Sequence, residues 1–560
     1  MTGEHCFWFG CLVPLDVSGP GLFAFINFLP ALTLMVLAWN IVDIRYRFRT
    51  WTAPLPLQRI TFGAVVVIGV LTLLTDLWRA EHRLVPRGDL ITPSEWQATL
   101  AGLYVLTFLL WAWFAFICPP KFGWANAKRY ANNLYRIILK GDPNELAVVA
   151  DELRHSIPSM VRHAPDMREL NEWPQRHGGK PKKVLTVSLF ADDMLRLIGD
   201  RRFCRAIVKS APLTALALFS TIGKEKKYGV RVGTFAKNIM NEGIANRDSF
   251  MYNEAEPYES GLLAVHKPLS QAMFANYELV EEVKTLLEPD LGSHQTWDVD
   301  QWEAYARVVL IAFQKYVESG MKSHSYVLYG AMQELKESAI SVYRVGDFSK
   351  DWGLDEHQRL RVVTQFMKDA ITILDKNNSS TQRFAIPKEY SNRTFYDHIA
   401  SIIVELISKA SMCQSPVGLC WSVQHNAVWS AFFNFDHTTG RAATIIKAKV
   451  RRLVYKEIVT IEKHQDFQAA RILGLCLNVM GLSVSKDSYY HDSRALQLAV
   501  LRWTKKRYAW VYSENPVLAA ACLVDGFTYE PDNNRIVHTR PADGRRQQAS
   551  YIYFPVEPKP

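Results

Sequence analysis

Five cations fall within one short stretch: Lys447, Lys449, Arg451, Arg452 and Lys456. Such a cluster can meet phosphate, whether on a lipid headgroup, a nucleic acid or a nucleotide signal. The same residues would serve equally as a solvated helix face paired with acids elsewhere. A second set of polar residues lies inside apolar sequence: Asn27, Asn40 and Asp76. A carboxylate or amide within a membrane span is a functional candidate, as a pore-lining group or as a hydrogen-bonding link between helices. Asp76 has Arg79 three residues later on the same helical face, so a snorkelling surface pair is the competing expectation.

Catalytic signatures are missing. The chain has no GxxxxGK[ST] loop, no GxGxxG, no HExxH and no GxSxG. Its 15 histidines are dispersed. In Tyr396-Asp397-His398 and Tyr489-Tyr490-His491-Asp492 the acid and imidazole are sequence neighbours, which do not face each other on a helix. These histidines are expected to be structural. Asp192 and Asp193 could hold a divalent ion, but an acidic helix start explains them as well, and no metal site is assigned. No cofactor is implied, and an enzymatic reading has only these scattered groups behind it.

The elements that must carry these residues divide sharply along the chain. Three long apolar segments occupy the first 118 residues: about Gly21–Val42, Ile60–Trp78 and Gln97–Ile117. Each approaches the ~20 residues needed to cross hydrocarbon. The residues before Gly21 contain no Lys or Arg, which excludes the positive n-region of a cleaved signal. Arg45, Arg47, Arg49 and Arg59 lie between the first two segments, and Lys121, Lys128, Arg129, Arg136 and Lys140 follow the third. The positive-inside rule then places the N-terminus outside and the remaining bulk in the cytoplasm of a plasma (inner) membrane protein. Residues 1–140 hold 12 Lys/Arg against 7 Asp/Glu and so carry +5 of the +10 net charge. Membrane topology thus accounts for half of the basic character, which argues against a nucleic-acid partner.

The eight cysteines form no CxxC pair. Six belong to the expected cytoplasmic part, where small apolar behaviour is the ordinary role. Cys6 and Cys11 fall on the expected outer side, where a local disulfide and two free thiols are both compatible with the spacing.

Beyond the membrane the pattern is helical. Juxtamembrane helices are expected over 119–170, with Tyr130, Leu134, Ile137 and Ile138 sharing one face of the first. A Pro/Gly-rich linker follows over 171–183, then a helical cytoplasmic domain over 184–527. The clearest helix runs from Asp298 to Glu318, with Asp298 and Gln301 as a capping pair. Asn377–Arg393 reads as a polar loop. The tail, 528–560, is not helical in pattern, and Ile536–His538 with Tyr551–Phe554 suggest a short β-hairpin.

The fold class expected is therefore mainly α: a three-helix transmembrane anchor, a large helical cytoplasmic domain and a small C-terminal hairpin. Two functions fit that layout. The first is an effector whose cytoplasmic domain senses a cytoplasmic protein or a nucleotide-type ligand and controls an oligomeric transmembrane assembly, altering membrane permeability. That layout is similar to bacterial antiviral-defence and stress effectors, which join a few spans to a large sensor. Three short spans cannot enclose a pore alone, so this reading implies a homo-oligomer in the lipid bilayer. The second is a membrane-tethered interaction scaffold with neither channel nor catalytic activity.

Overall fold

The computed structural model describes residues 5–7, 10–14, 23–40, 43–81, 83–86, 93–176, 184–254, 268–290, 292, 294–321, 324–347, 355–377, 384–387, 389, 392–413, 417–433, 440–484, 492–524, 526–540 and 549–558. The chain folds as two compact units, Met1–Asn246 and Arg247–Pro560.

Two helices of the first unit are long and apolar enough to cross a membrane. Helix α3 (Leu57–Ala80) and helix α4 (Pro93–Ala112), which a π-helix extends to Ile117, have mean hydropathies of 2.2 and 2.1 over their best windows. Only 22% of either window is buried. Phe62, Val66, Val70 and Leu73 of α3, and Leu106, Leu109 and Phe116 of the other span, face outward. Side chains this apolar on an outer surface match a hydrocarbon solvent and not water.

The first apolar segment departs from expectation. It folds as a 16-residue helix α1 (Phe25–Asn40) with Pro30 inside it. At ~1.5 Å per residue that helix covers about 24 Å, short of a ~30 Å hydrocarbon core. The clear spans therefore number two. Phe28 and Met35 of α1 nevertheless pack with Val65 and Ile68 of α3 and with Leu100 and Tyr104 of α4. The fit is close at Gly69, where an added Cβ would come within 2.8 Å of the Phe28 ring. The Tyr104 hydroxyl donates to the Ala31 carbonyl, 2.5 Å away.

Strands β1 (His5–Phe7), β2 (Gly10–Pro14) and β3 (Leu84–Pro86) form an antiparallel sheet in that order. It joins the N-terminal residues to the connection between α3 and α4.

At the other end of α3 lies helix α2 (Ile44–Thr52), which carries the arginines of the first loop. They dock on helix α6 (Pro143–Leu153): Arg47 pairs with Glu145 at 2.8 Å, Arg45 with Asp151 at 3.2 Å, and Arg49 holds both oxygens of Glu152 at 2.7 Å. Helix α5 (Ala127–Lys140) buries the expected face, with Tyr130, Leu134, Ile137 and Ile138 all enclosed. The Thr186–Leu197 helix packs against α5, and the Arg201–Ser210 helix packs against α6.

The second unit is built around the Phe395–Ser411 helix. Thirteen of its seventeen residues are buried, so it is enclosed on every side. The Val299–Glu318 helix begins with the expected capping box, Asp298 and Gln301 each bonding the other's backbone N–H. The Asp375 carboxylate starts the Arg441–Val459 helix by accepting from the Ala442 and Ala443 amides, at 2.6 and 3.3 Å. The C-terminal hairpin proves to be three-stranded: β4 (Phe527–Glu530), β5 (Arg535–Arg540) and β6 (Ser550–Pro555), antiparallel in that order. Ile536 and Val537 are its buried anchors.

Candidate functional site

The residues singled out by type and spacing take separate places. Asp76 accepts from the Phe25 amide at 2.6 Å, so it caps the start of α1. Asn27 is exposed, and the Asn40 side chain lies outside the described residues. The basic cluster is largely committed within the fold. Lys447 is buried and pairs with Asp492 at 2.5 Å. Lys449 is buried against Asp397 and also donates to the Ala385 carbonyl at 3.2 Å. Arg451 donates to the Asp492 carbonyl and Arg452 to the Phe384 carbonyl, leaving Lys456 on the exposed face. Asp192 is buried and held by both donors of Arg231's fork. Among the described residues no cluster of three potential metal ligands occurs.

His398 is buried beside His324, Tyr329 and Phe395. Burial pushes its pKa from the ordinary 6.5 down to about 4, the positive charges of His324 and Arg393 add to this, and Asp397 opposes it. Between about pH 6.5 and about 4 the unfolded chain therefore binds a proton that the folded unit refuses. Stability of this unit is expected to fall as pH drops through that window. His398→Phe should flatten the slope, measured as thermal unfolding at pH 7 against pH 5. Equal slopes in the two proteins would remove His398 as the cause.

A different group of residues builds a cleft of about 1060 Å³ in the second unit. That is the upper end of the ~300–1,000 Å³ usual for small-molecule sites. Several helices and the C-terminal sheet supply it. The Val417–Trp421 helix passes directly into a nine-residue π-helix, Ser422–Ser430. Wide turns of this kind shift the side-chain register and occur often at functional sites. Here the π-helix brings Gln424 and His425 to the cleft. Gln424 anchors it: its Nε2 donates to the Ala410 and Cys413 carbonyls, each at 3.3 Å, and its Oε1 accepts from Asn478 at 3.2 Å.

The Phe467–Met480 helix contributes Arg471 and Asn478, and the Arg494–Glu514 helix contributes Tyr508 and Tyr512. The sheet closes the opposite margin with Phe527 and Tyr529 of β4 and His538 and Arg540 of β5. Gly526 makes the turn into β4. Its φ of +89° suits glycine, and a Cβ there would press to 3.2 Å from the Thr539 carbonyl.

The lining is aromatic and cationic. The Trp421 and His425 rings stack at 4.9 Å and 20°. Phe527 and His538 are cross-strand partners, and their rings stack at 4.1 Å and 8°. Tyr529 contacts Tyr508 and Tyr512 at 5.0 and 4.9 Å. Among the described lining residues there is no carboxylate. Burial lowers the pKa of both His425 and His538, with Arg540 adding to the second and the Asn478 side chain opposing the first. Both imidazoles are thus held neutral near pH 7. His425 Nε2 and His538 Nδ1 are buried without a hydrogen-bond partner among the described residues. Burial pushes the Cys413 thiol up to about 12, which removes it as a thiolate nucleophile at neutral pH. The arrangement can stack planar groups, attract negative charge and donate or accept single hydrogen bonds.

No known protein family, curated protein or solved structure matches this chain.

Proposed function

We propose that the protein is a membrane-anchored effector: its second unit senses a small ligand, and its apolar helices assemble with further copies to alter membrane permeability. The observation that carries this reading is the combination in one chain of two lipid-suited spans and a separate unit bearing a large cleft whose described lining residues include no carboxylate. Two or three helices per chain cannot enclose a pore, so the active form is an oligomer. The test is dye release from liposomes holding the purified full chain at rising protein-to-lipid ratio. Release should climb more steeply than in proportion to protein. If there is no release at any ratio and cross-linking traps only monomers, the effector reading fails and a tethered scaffold remains.

The proposed topology has α1 as a third crossing, the N-terminus outside and the second unit in the cytoplasm. The sheet and α2 support it. Strand β2 pairs with β3 beyond the far end of α3, whereas α2 docks on α6 at the near end. The chain between Pro14 and Ile44 must travel the length of the helices, and α1 is the element on that path. The Phe25 amide meeting Asp76, near the far end of α3, agrees with this direction.

The same sheet supplies a test. Pro14 and Pro86 have no N–H, so the Pro14↔Leu84 and Leu12↔Pro86 pairs cannot exchange both ladder bonds. Alternation then makes Val13↔Val85 the bonded pair on that side of β2. On the other side Gly10 and Leu12 are bonded, and Cys6↔Cys11 is a non-hydrogen-bonded pair. Such pairs hold their Cα atoms about 4.5 Å apart, within the ~4.4–6.8 Å that a disulfide spans. On an oxidising outer face Cys6 and Cys11 are therefore expected to be joined. Both should resist alkylation in isolated membranes until reductant is added; free thiols at both would count against the external N-terminus.

A further inference from the structure

We propose that the cleft of the second unit is a nucleotide site: it takes one or two purine or pyrimidine rings on its aromatic pairs and their phosphate on Arg471 and Arg540. This deepens the effector reading and rests on it for its biological meaning, although the binding chemistry stands on the cleft alone.

Three features select this ligand class. The first is the pair of flat platforms. Trp421 with His425 comes from the helical side, and Phe527 with His538 comes from the sheet, so a planar ring has stacking partners on two independent elements. Half of the Trp421 surface is open to solvent, at 51% exposure, so its indole is available to an incoming ring. Base–aromatic stacking tolerates every base, because each presents a π face.

The second is charge. Arg471 and Arg540 reach the same cleft from a helix and a strand, and no described lining residue offers a carboxylate to repel an anion. Guanidinium forks match phosphate oxygens in geometry as well as sign. The third is the set of polar atoms. His425 Nε2 and His538 Nδ1 are buried at the lining and make no hydrogen bond to another described residue. Buried polar atoms of this kind normally find a partner, and the edge of a nucleobase or a ribose hydroxyl supplies one.

Size separates this class from simpler anions. Inorganic phosphate or acetate would occupy a small part of 1060 Å³ and leave both platforms unused. A neutral aromatic compound would use the platforms but make no use of the positive charge that Arg471 and Arg540 bring to the cleft. A phosphorylated nucleoside, or two joined through a phosphodiester, uses all three features together.

The experiment is isothermal titration of the purified full chain in detergent with AMP, GMP, cyclic AMP and cyclic di-nucleotides. Adenosine, guanosine and inorganic phosphate serve as separate arms. At least one phosphorylated nucleoside should bind about tenfold or more tightly than its nucleoside and than phosphate. Arg540→Ala and Trp421→Ala should each weaken that binding about tenfold, and Trp421→Phe should restore most of it. Arg540 and Trp421 are exposed, so these variants are expected to keep the wild-type unfolding temperature. The proposal is overturned if no nucleotide binds more tightly than phosphate does, or if folded Arg540→Ala and Trp421→Ala bind as wild type. Nucleotide binding without liposome leakage would leave this inference standing and end the effector reading. Leakage from a protein that binds no nucleotide would do the reverse.

Discussion

Replacing Lys449 with methionine is expected to lower the local stability of the second unit by about 3–5 kcal/mol, the usual cost of stripping one partner from a buried ion pair. Lys449 and Asp397 are each 2% exposed. The lysine is the only charged group of opposite sign shown bonding that carboxylate among the described residues. Asp397 also closes the capping box of the central helix, accepting from the Thr394 amide and hydroxyl at 3.0 Å. Lys449→Met would leave the carboxylate enclosed with these neutral donors alone. The double variant Asp397→Asn with Lys449→Met is expected to recover much of the loss, since no charge then remains buried. Hydrogen exchange of the amides in Phe395–Ser411 and Arg441–Val459 measures the opening free energy of both helices. A change below about 1 kcal/mol in the single variant would mean that solvent or another group replaces the lysine, and the pair would lose its structural importance.

That pair also shows where reading from sequence stops. Lys447 and Lys449 sit two residues apart in a strongly basic run, which reads as a solvated face or an anion site. Nothing local reveals that both side chains reach acids 45 and 52 residues away. Asp76 is a second case. Nothing near it in sequence reveals that its carboxylate accepts from an amide 51 residues earlier in the chain. Long-range partners of this kind leave no periodic trace.

Features with a local cause were legible. The α3 and α4 spans follow from unbroken apolar runs, and the start of the Val299–Glu318 helix follows from Asp298 and Gln301. Segment one looked equivalent by composition, but it forms a helix of only 16 residues, with Pro30 inside it. The cleft draws on residues from Ser411 to Arg540, spread over helices, a π-helix and two strands, so no motif could announce it. One local signal for the sheet lies in its turn. Asn533-Asn534 before the Ile536-Val537 pair is a hairpin turn, with Asn534 at φ +44°, and it would have revealed β4 opposite β5.

The other large effect is expected at Arg49. This side chain ties together three segments that the sequence separates. Its Nε and one terminal nitrogen hold the two oxygens of Glu152 on α6, and its other terminal nitrogen donates to the Ala115 carbonyl at 3.2 Å. Ala115 belongs to the π-helix that ends the second clear span. Arg49 thus satisfies a carbonyl at a helix C-terminus, where a cation is favoured, and fixes α2 to α6 at the same time. The pair is well shielded, with 12% and 4% of the two side chains exposed. The hydrogen bonds it donates to Glu152, opposed by burial, raise the pKa of Arg49 further, so the charge persists at any accessible pH. Arg49→Ala leaves Glu152 enclosed with Arg45, at 3.4 Å, as its remaining cation. A loss of about 3 kcal/mol is expected, the lower end of the range for a broken buried pair, because Arg45 stays in reach. Arg49→Lys should recover only part, since an ammonium cannot bond both carboxylate oxygens and the carbonyl in one plane. Hydrogen exchange of α2 and α6 in detergent gives the energies, and the liposome assay asks whether the clamp matters to leakage. Should Arg49→Lys match wild type in exchange, geometry would be irrelevant and charge alone would hold α2 in place.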